Sequence, residues 1–191
     1  MSDTRKVAIV GEANSYSGPA IALEMARRGY DLVLGDAQPG LVAEVTALGA
    51  RAVDCIEVPY HFLRAIVPVM VERGSGQVLV QTSASGARVT PGAPLYSTAR
   101  AAANHLVKNV AAEVAGSGVQ VNAVGTNFMD FPGFLDASGV KDAESRARVE
   151  AQVPMKKLGS IEEFASFCAN FIDGSFTFTT GQFVSFSGGW S

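Results

Sequence analysis

Short apolar, β-branched runs alternate along the chain with longer stretches in which apolar residues recur at helical spacing. Residues 6–10 (KVAIV) read as a buried central strand. A loop over 11–17 follows, then a helix over 18–28 expected to turn Ala20, Ile21, Leu23 and Met25 inward. Residues 31–35 form a second strand, 41–48 a short helix and 51–57 a third strand. Over 61–72, Phe62, Ile66, Val67 and Met70 lie at helical spacing, and the strand 77–82 comes next. Gly86, Pro91, Gly92 and Pro94 mark a loop before a long alanine-rich helix. After it come a strand over 119–124, an aromatic loop (Phe128, Met129, Phe131, Pro132, Phe134) and a polar helix over 141–152. A helix over 160–173 opens with Ser160 and Glu163 at capping-box spacing, and 182–185 is the last strand. Strands alternating with helices predict an α/β fold: a parallel sheet covered by helices on both faces, as one domain over residues 1–191.

Composition narrows the function. With 191 residues, 48% of them apolar and 17% charged, the chain can build a sizeable core, and part of its surface is expected in subunit contacts. A net charge of -3 argues against a nucleic-acid partner, which requires a basic face. No apolar run approaches the length of a membrane span. Residues 1–6 (MSDTRK) lead straight into a strand without the apolar core of a secretion signal. Cys55 and Cys168 are solitary and read as free thiols, while His61 and His105 belong to no cluster, so no metal site is expected. A soluble, cytoplasmic protein is the expectation.

Candidate chemistry gathers at the strand 77–82 and the helix after it. Ser83 ends the strand, and Tyr96 and Arg100 sit four apart on one helical face. A free phenol has a pKa of about 10 and is a poor base at neutral pH. A neighbouring cation stabilises the phenolate, and arginine stays charged throughout. Ser83 can hold a substrate oxygen in place. On spacing alone the same residues also read as an ordinary surface ion–phenol pair beside a loop serine. The first loop, Gly11-Glu-Ala-Asn-Ser-Tyr-Ser-Gly18-Pro19, follows a nucleotide-binding plan in which backbone N–H groups receive phosphates. It carries only two glycines, a negative charge at Glu12, a bulky ring at Tyr16, and Pro19 in place of one N–H donor. The loop therefore reads as filled, although Asp36 would suit a ribose hydroxyl and keeps nucleotide binding open.

With twelve residues between Ser83 and Tyr96 and three between Tyr96 and Arg100, the chain resembles the halohydrin dehalogenases. These are relatives of the short-chain dehydrogenase/reductases that use Ser-Tyr-Arg in place of Ser-Tyr-Lys. The first loop is similar too: the family's threonine, four residues, an aromatic, one residue and glycine correspond to Gly11, Tyr16 and Gly18, with Gly11 departing from the threonine. Residues 118–135 and 179–190 look like the G-type branch. The resemblance implies a Rossmann-like doubly wound sheet and cofactor-free conversion of vicinal haloalcohols to epoxides, with Ser83, Tyr96 and Arg100 catalytic. It also implies the reverse opening of epoxides by small anions. The halide pocket would be walled by Tyr16, Thr126, Asn127, Phe128 and Met129, with the Phe128 and Met129 N–H groups as anion donors. Bulky and cyclic epoxides are the implied substrate class, and a homotetramer paired through the alanine-rich helix the implied assembly. No cofactor and no metal are implied. One departure stands out: a strand–helix unit, whose strand would lie beside strand one, is missing between Pro59 and Tyr60. Losing a central strand exposes backbone donors and core surface, so the expectation is that these two residues are not neighbours in an uninterrupted chain. The alternatives are a nucleotide-dependent oxidoreductase with Arg100 in the lysine position and a non-catalytic binding protein on the same fold.

Overall fold

The computed structural model describes residues 6–10, 13–14, 17–35, 37–55 and 59–191. Its elements, in order, are β1 (Val7–Val10), α1 (Gly18–Arg27), β2 (Asp31–Gly35), α2 (Leu41–Ala47), β3 (Ala52–Cys55), α3 (Pro59–Arg73) and β4 (Gly76–Ser83). Then come a 3₁₀ turn (Ala84–Ala87), α4 (Pro94–Val114), β5 (Val119–Thr126), β6 (Met129–Asp130), α5 (Pro132–Ala137), α6 (Ala143–Glu150), β7 (Gly159–Ser160), α7 (Ile161–Ile172) and β8 (Phe183–Phe186). Among the described residues all strand pairs are parallel, in two three-stranded sheets ordered β1-β2-β3 and β4-β5-β8 and a short β6-β7 pair.

Helices cover both faces, as the alternation predicts. On one face α1 and α7 bury Ile21, Met25, Phe164 and Cys168 against Leu32, Leu34 and Val124. On the other, α3 and α4 bury Phe62, Leu63, Val67, Met70, Val107 and Ala111 against β4 and β5. Strand β4 serves both: Val78 and Val80 point into the second cluster while Leu79 packs on the first. Burial in α1 falls on Ala22 and Ala26 together with Ile21 and Met25, whereas Ala20 and Leu23 are only half-buried. Cys168 is a free, fully buried thiol, and burial pushes its pKa well up.

The aromatic loop expected after β5 contains structure of its own. Phe131 is extended, Pro132 stands at the first helical position, and α5 follows. With α6 it closes a third apolar cluster of Phe128, Phe134, Val149, Val153 and Leu158 over the strand ends. Asp142 caps α6, accepting from Ser145 N–H at 2.8 Å while the Ser145 hydroxyl accepts from Asp142 N–H. Ser160 Oγ likewise accepts from the Glu163 N–H at 3.0 Å to start α7.

Between the two sheets lies the place where the missing unit would have run. Here β1 packs directly against β4, and no hydrogen-bonded ladder joins them among the described residues. Pro59 and Tyr60 both belong to the first turn of α3.

Candidate active site

Parallel strands bring their C-terminal ends to one edge, and that edge holds the candidate chemistry. Ser83 closes β4 directly beside Thr126, which closes β5, and Thr126 pairs in turn with Phe186 of β8. Ser83 is buried, 7% exposed. Its Oγ lies 2.8 Å from Ser85 Oγ, accepts from Ser85 N–H at 3.2 Å, and can donate to the Thr126 carbonyl at 3.4 Å. The 3₁₀ turn after Ser83 therefore folds back on the serine and fixes its rotamer.

Tyr96 and Arg100 come from the first turns of α4. Pro94 opens that helix at a position where a missing N–H costs nothing. The Arg100 guanidinium sits over the Tyr96 ring, 5.0 Å from its centroid, and Tyr96 is 46% exposed. Two glycines set how closely the pieces approach. A Cβ on Gly86 would lie 2.7 Å from the Arg100 carbonyl carbon and 2.8 Å from Ala101 N. A Cβ on Gly125 would meet the Ser83 carbonyl carbon at 2.6 Å, Ala84 N at 2.7 Å and the Phe183 ring at 2.7 Å. Beneath the turn, buried Thr82 Oγ1 donates to Asn104 Oδ1 of α4 at 2.6 Å, tying strand end to helix.

The remaining candidates divide. Thr126 is buried at the strand end, and Met129 is buried in the core cluster to which α1 and α7 also contribute. Asn127 and Phe128 line a cavity of about 280 Å³ with Val153, Lys157, Ser185 and Ser187. Phe128 adopts φ 57°, the left-handed region, and its N–H donates to Asn127 Oδ1 at 2.9 Å, so the expected anion donor is already engaged by the preceding side chain. The trio of Ser83, Tyr96 and Arg100 is not part of that cavity's wall. Tyr16 lies outside the described residues, as do Gly11, Glu12 and Asp36. Asp130, next to the turn, is held by Arg146, whose hydrogen bonds keep its carboxyl below the usual aspartate range. Among the described residues no three His, Cys, Asp or Glu side chains group as metal ligands, and no helix is long and apolar enough to cross a membrane.

Residue patterns alone did not single out Ser85, Asn104, Gly125, Arg88 or Trp190 as parts of this edge. Their roles come from contacts between segments far apart in sequence. A partial signal existed in the two glycines, each adjoining a candidate element, because a glycine inside a strand marks close backbone approach.

Ahead of α1, Ser17 Oγ is buried with no hydrogen-bond partner among the described residues. An unpartnered hydroxyl at the N-terminus of a ten-residue helix fits a phosphate group.

The parallel sheets, the two helical layers and a site at the strand C-termini define a Rossmann-like α/β protein. Residues 56–191 match the family described as enoyl-(acyl carrier protein) reductase, and the chain belongs to this short-chain dehydrogenase/reductase family. It is 32% identical over 132 residues to the acetoacetyl-CoA reductase of Cupriavidus necator, covering 68% of this chain and 51% of that protein. A tropinone reductase homolog of Arabidopsis thaliana is 29% identical over 136 residues, covering 71% of this chain and 49% of the relative. The chain thus spans about half the length of these curated relatives. The crystal structure of an NADPH-dependent reductase involved in bacilysin biosynthesis shares the fold, with TM-score 0.86 at 16% identity over 98% of this chain and 99% of that one.

Proposed function

We propose that the protein is a cofactor-independent halohydrin dehalogenase, closing vicinal haloalcohols to epoxides and, in reverse, opening epoxides, bulky and cyclic ones included, with small anions. The observation that carries this reading is Arg100, a permanent cation in the position of the family's lysine, resting on the ring of Tyr96 one turn before it. Tyr96, acting as the phenolate, takes the proton of the substrate hydroxyl and becomes the phenol while Ser83 Oγ holds the oxygen. The alkoxide forms a C–O bond to the neighbouring carbon as the C–halogen bond breaks, and halide leaves with the bonding pair toward the turn of Thr126–Met129. In this reading the protein assembles as a homotetramer through α4, which exposes Ala99, Ala101, Ala102 and Ala112.

A second reading is favoured by the relatives, which are named as reductases: an NAD(P)-dependent oxidoreductase. Ser17 Oγ and the first N–H groups of α1 would hold a phosphate of that cofactor, which supplies or accepts hydride when bound. Tyr96 would then hold the proton of the carbonyl or alcohol oxygen, with Ser83 orienting it. The test is halide and proton release from a small chlorohydrin with no nucleotide added. Equal release of both ions, lost in Tyr96→Phe, supports dehalogenation. Nucleotide-dependent carbonyl reduction, with calorimetric binding of NADP and no halide release, establishes the second reading instead.

A further inference from the structure

Phe128 is a non-glycine residue held at φ 57°, a backbone state that an L-residue keeps only when its surroundings over-determine it. Its carbonyl accepts from Gly159 N–H at 2.9 Å, and its ring is wedged edge-on between two aromatics. Phe134 lies 5.8 Å away and Trp190 5.5 Å away, centroid to centroid. Trp190 is itself clamped. The Arg88 guanidinium lies over its ring at 4.3 Å, and Arg88 Nη1 donates to the Trp190 carbonyl. Arg88 belongs to the segment between Ser83 and Tyr96, so one chain of contacts runs from the proton-transfer loop, through residue 190, to the turn after β5.

We infer that Arg88 and Trp190 are positioning residues that keep Phe128 left-handed, so that its N–H holds Asn127 Oδ1 and the turn receives an anion on the Asn127 amide N–H rather than on the Phe128 N–H. The inference rests on the reading that this turn takes the leaving halide. Trp190 pins the Phe128 ring, and Arg88 pins Trp190 by its ring face and its carbonyl at once. Releasing Arg88 lets Trp190 swing away, and Phe128 can then relax to ordinary backbone geometry, which reshapes the anion seat.

Trp190 is the chain's one tryptophan, so its emission reports on this contact directly. The experiment titrates sodium bromide, at constant ionic strength, into wild type, Arg88→Ala, Arg88→Lys and Phe128→Gly, following fluorescence, and compares kcat and KM for a chlorohydrin. The wild type is expected to show a saturable change. Arg88→Ala should raise the bromide midpoint about tenfold and shift the emission to the red, and it should leave the pH profile of kcat in place. Arg88→Lys should recover part of the affinity. In a Phe128→Gly background, where glycine adopts the left-handed state unaided, Arg88→Ala should lose most of its effect. An unchanged midpoint in Arg88→Ala, or an equal effect with glycine at 128, overturns the clamp and leaves dehalogenation standing. If the wild type itself neither senses bromide nor releases halide, the dehalogenase reading fails and the clamp's purpose fails with it.

Discussion

The two three-stranded sheets use the same parallel crossover, yet they are unequal. In the first, β1, β2 and β3 pair over four residues at each interface, on the side of the loop that follows a nucleotide-binding plan but reads as filled. In the second, β4 and β5 pair over eight residues, from Gly76 beside Val119 to Ser83 beside Thr126, and the ladder ends on candidate catalytic and anion-binding residues. The longer ladder gives its strand ends a rigid base, and Gly86 and Gly125 let the site pack backbone to backbone. The family match begins at residue 56 and covers the second sheet entirely. In the proposed function the chemistry rides on the half with the deeper register; the other half contributes a helix N-terminus and a large share of the core.

The largest expected effect tests where the chemistry lives. Tyr96→Phe removes one oxygen from a half-exposed ring, so thermal stability should hardly move while turnover falls on the order of 10³-fold. Full activity in that variant would remove the phenol from the mechanism in either reading of the function.

Phe164→Ala asks whether the halves fold as one. Phe164 is fully buried against Phe186 of the second sheet, in a cluster that also holds Leu32 and Leu34 of the first. The cavity left should cost about 3–5 kcal/mol and lower Tm by roughly 10 °C, in one cooperative transition. Two separate transitions in calorimetry would mean that the missing ladder between β1 and β4 leaves the sheets thermodynamically independent.

How much of this was legible beforehand depends on whether a feature is local. The strand at 31–35 and the helix opening at Gly18 are written in short-range periodicity and turn chemistry, and they appear where expected. So does the one-turn spacing of Tyr96 and Arg100. The α5 helix was hidden because Pro132, Gly133 and the neighbouring aromatics look like loop punctuation, although Pro132 falls at the one helical position that tolerates it. The left-handed Phe128 and the Arg88–Trp190 contact could not be read at all, since the residues that impose them lie up to 102 positions apart. The expected Phe128 N–H donor met the same problem at shorter range: the Asn127 side chain reached it first.

A paired glycine experiment sharpens the comparison at intermediate size. Gly125→Ala drives a methyl into the Ser83–Ala84 backbone and should cost about 2–3 kcal/mol and most of the activity. Gly40→Ala, at φ 88° before α2 in the first half, meets open space and should cost about 1 kcal/mol through backbone strain alone, with turnover intact. Equal losses of activity in both would contradict the division of labour between the sheets.

The smallest effect concerns the lobe that covers the site. Arg146 donates to both carboxylate oxygens of Asp130 and also to Glu150, joining β6 to α6 beside the turn at Phe128. These hydrogen bonds lower the folded-state pKa of Asp130. A carboxyl whose pKa is depressed on folding contributes stability above its unfolded value and loses it as pH falls through the folded one, so the loss begins from about pH 4 downward. Both side chains are more than a third exposed, so solvent screening limits the contribution to less than about 1 kcal/mol. Asp130→Asn should therefore lower Tm slightly at pH 7 and flatten the acid limb of the Tm–pH curve, with the gap to wild type closing below pH 4. A constant gap from pH 7 to pH 3 would show that the pair acts through packing and not through charge, leaving α6 anchored by its Asp142 cap and by Val149 in the cluster around Phe128.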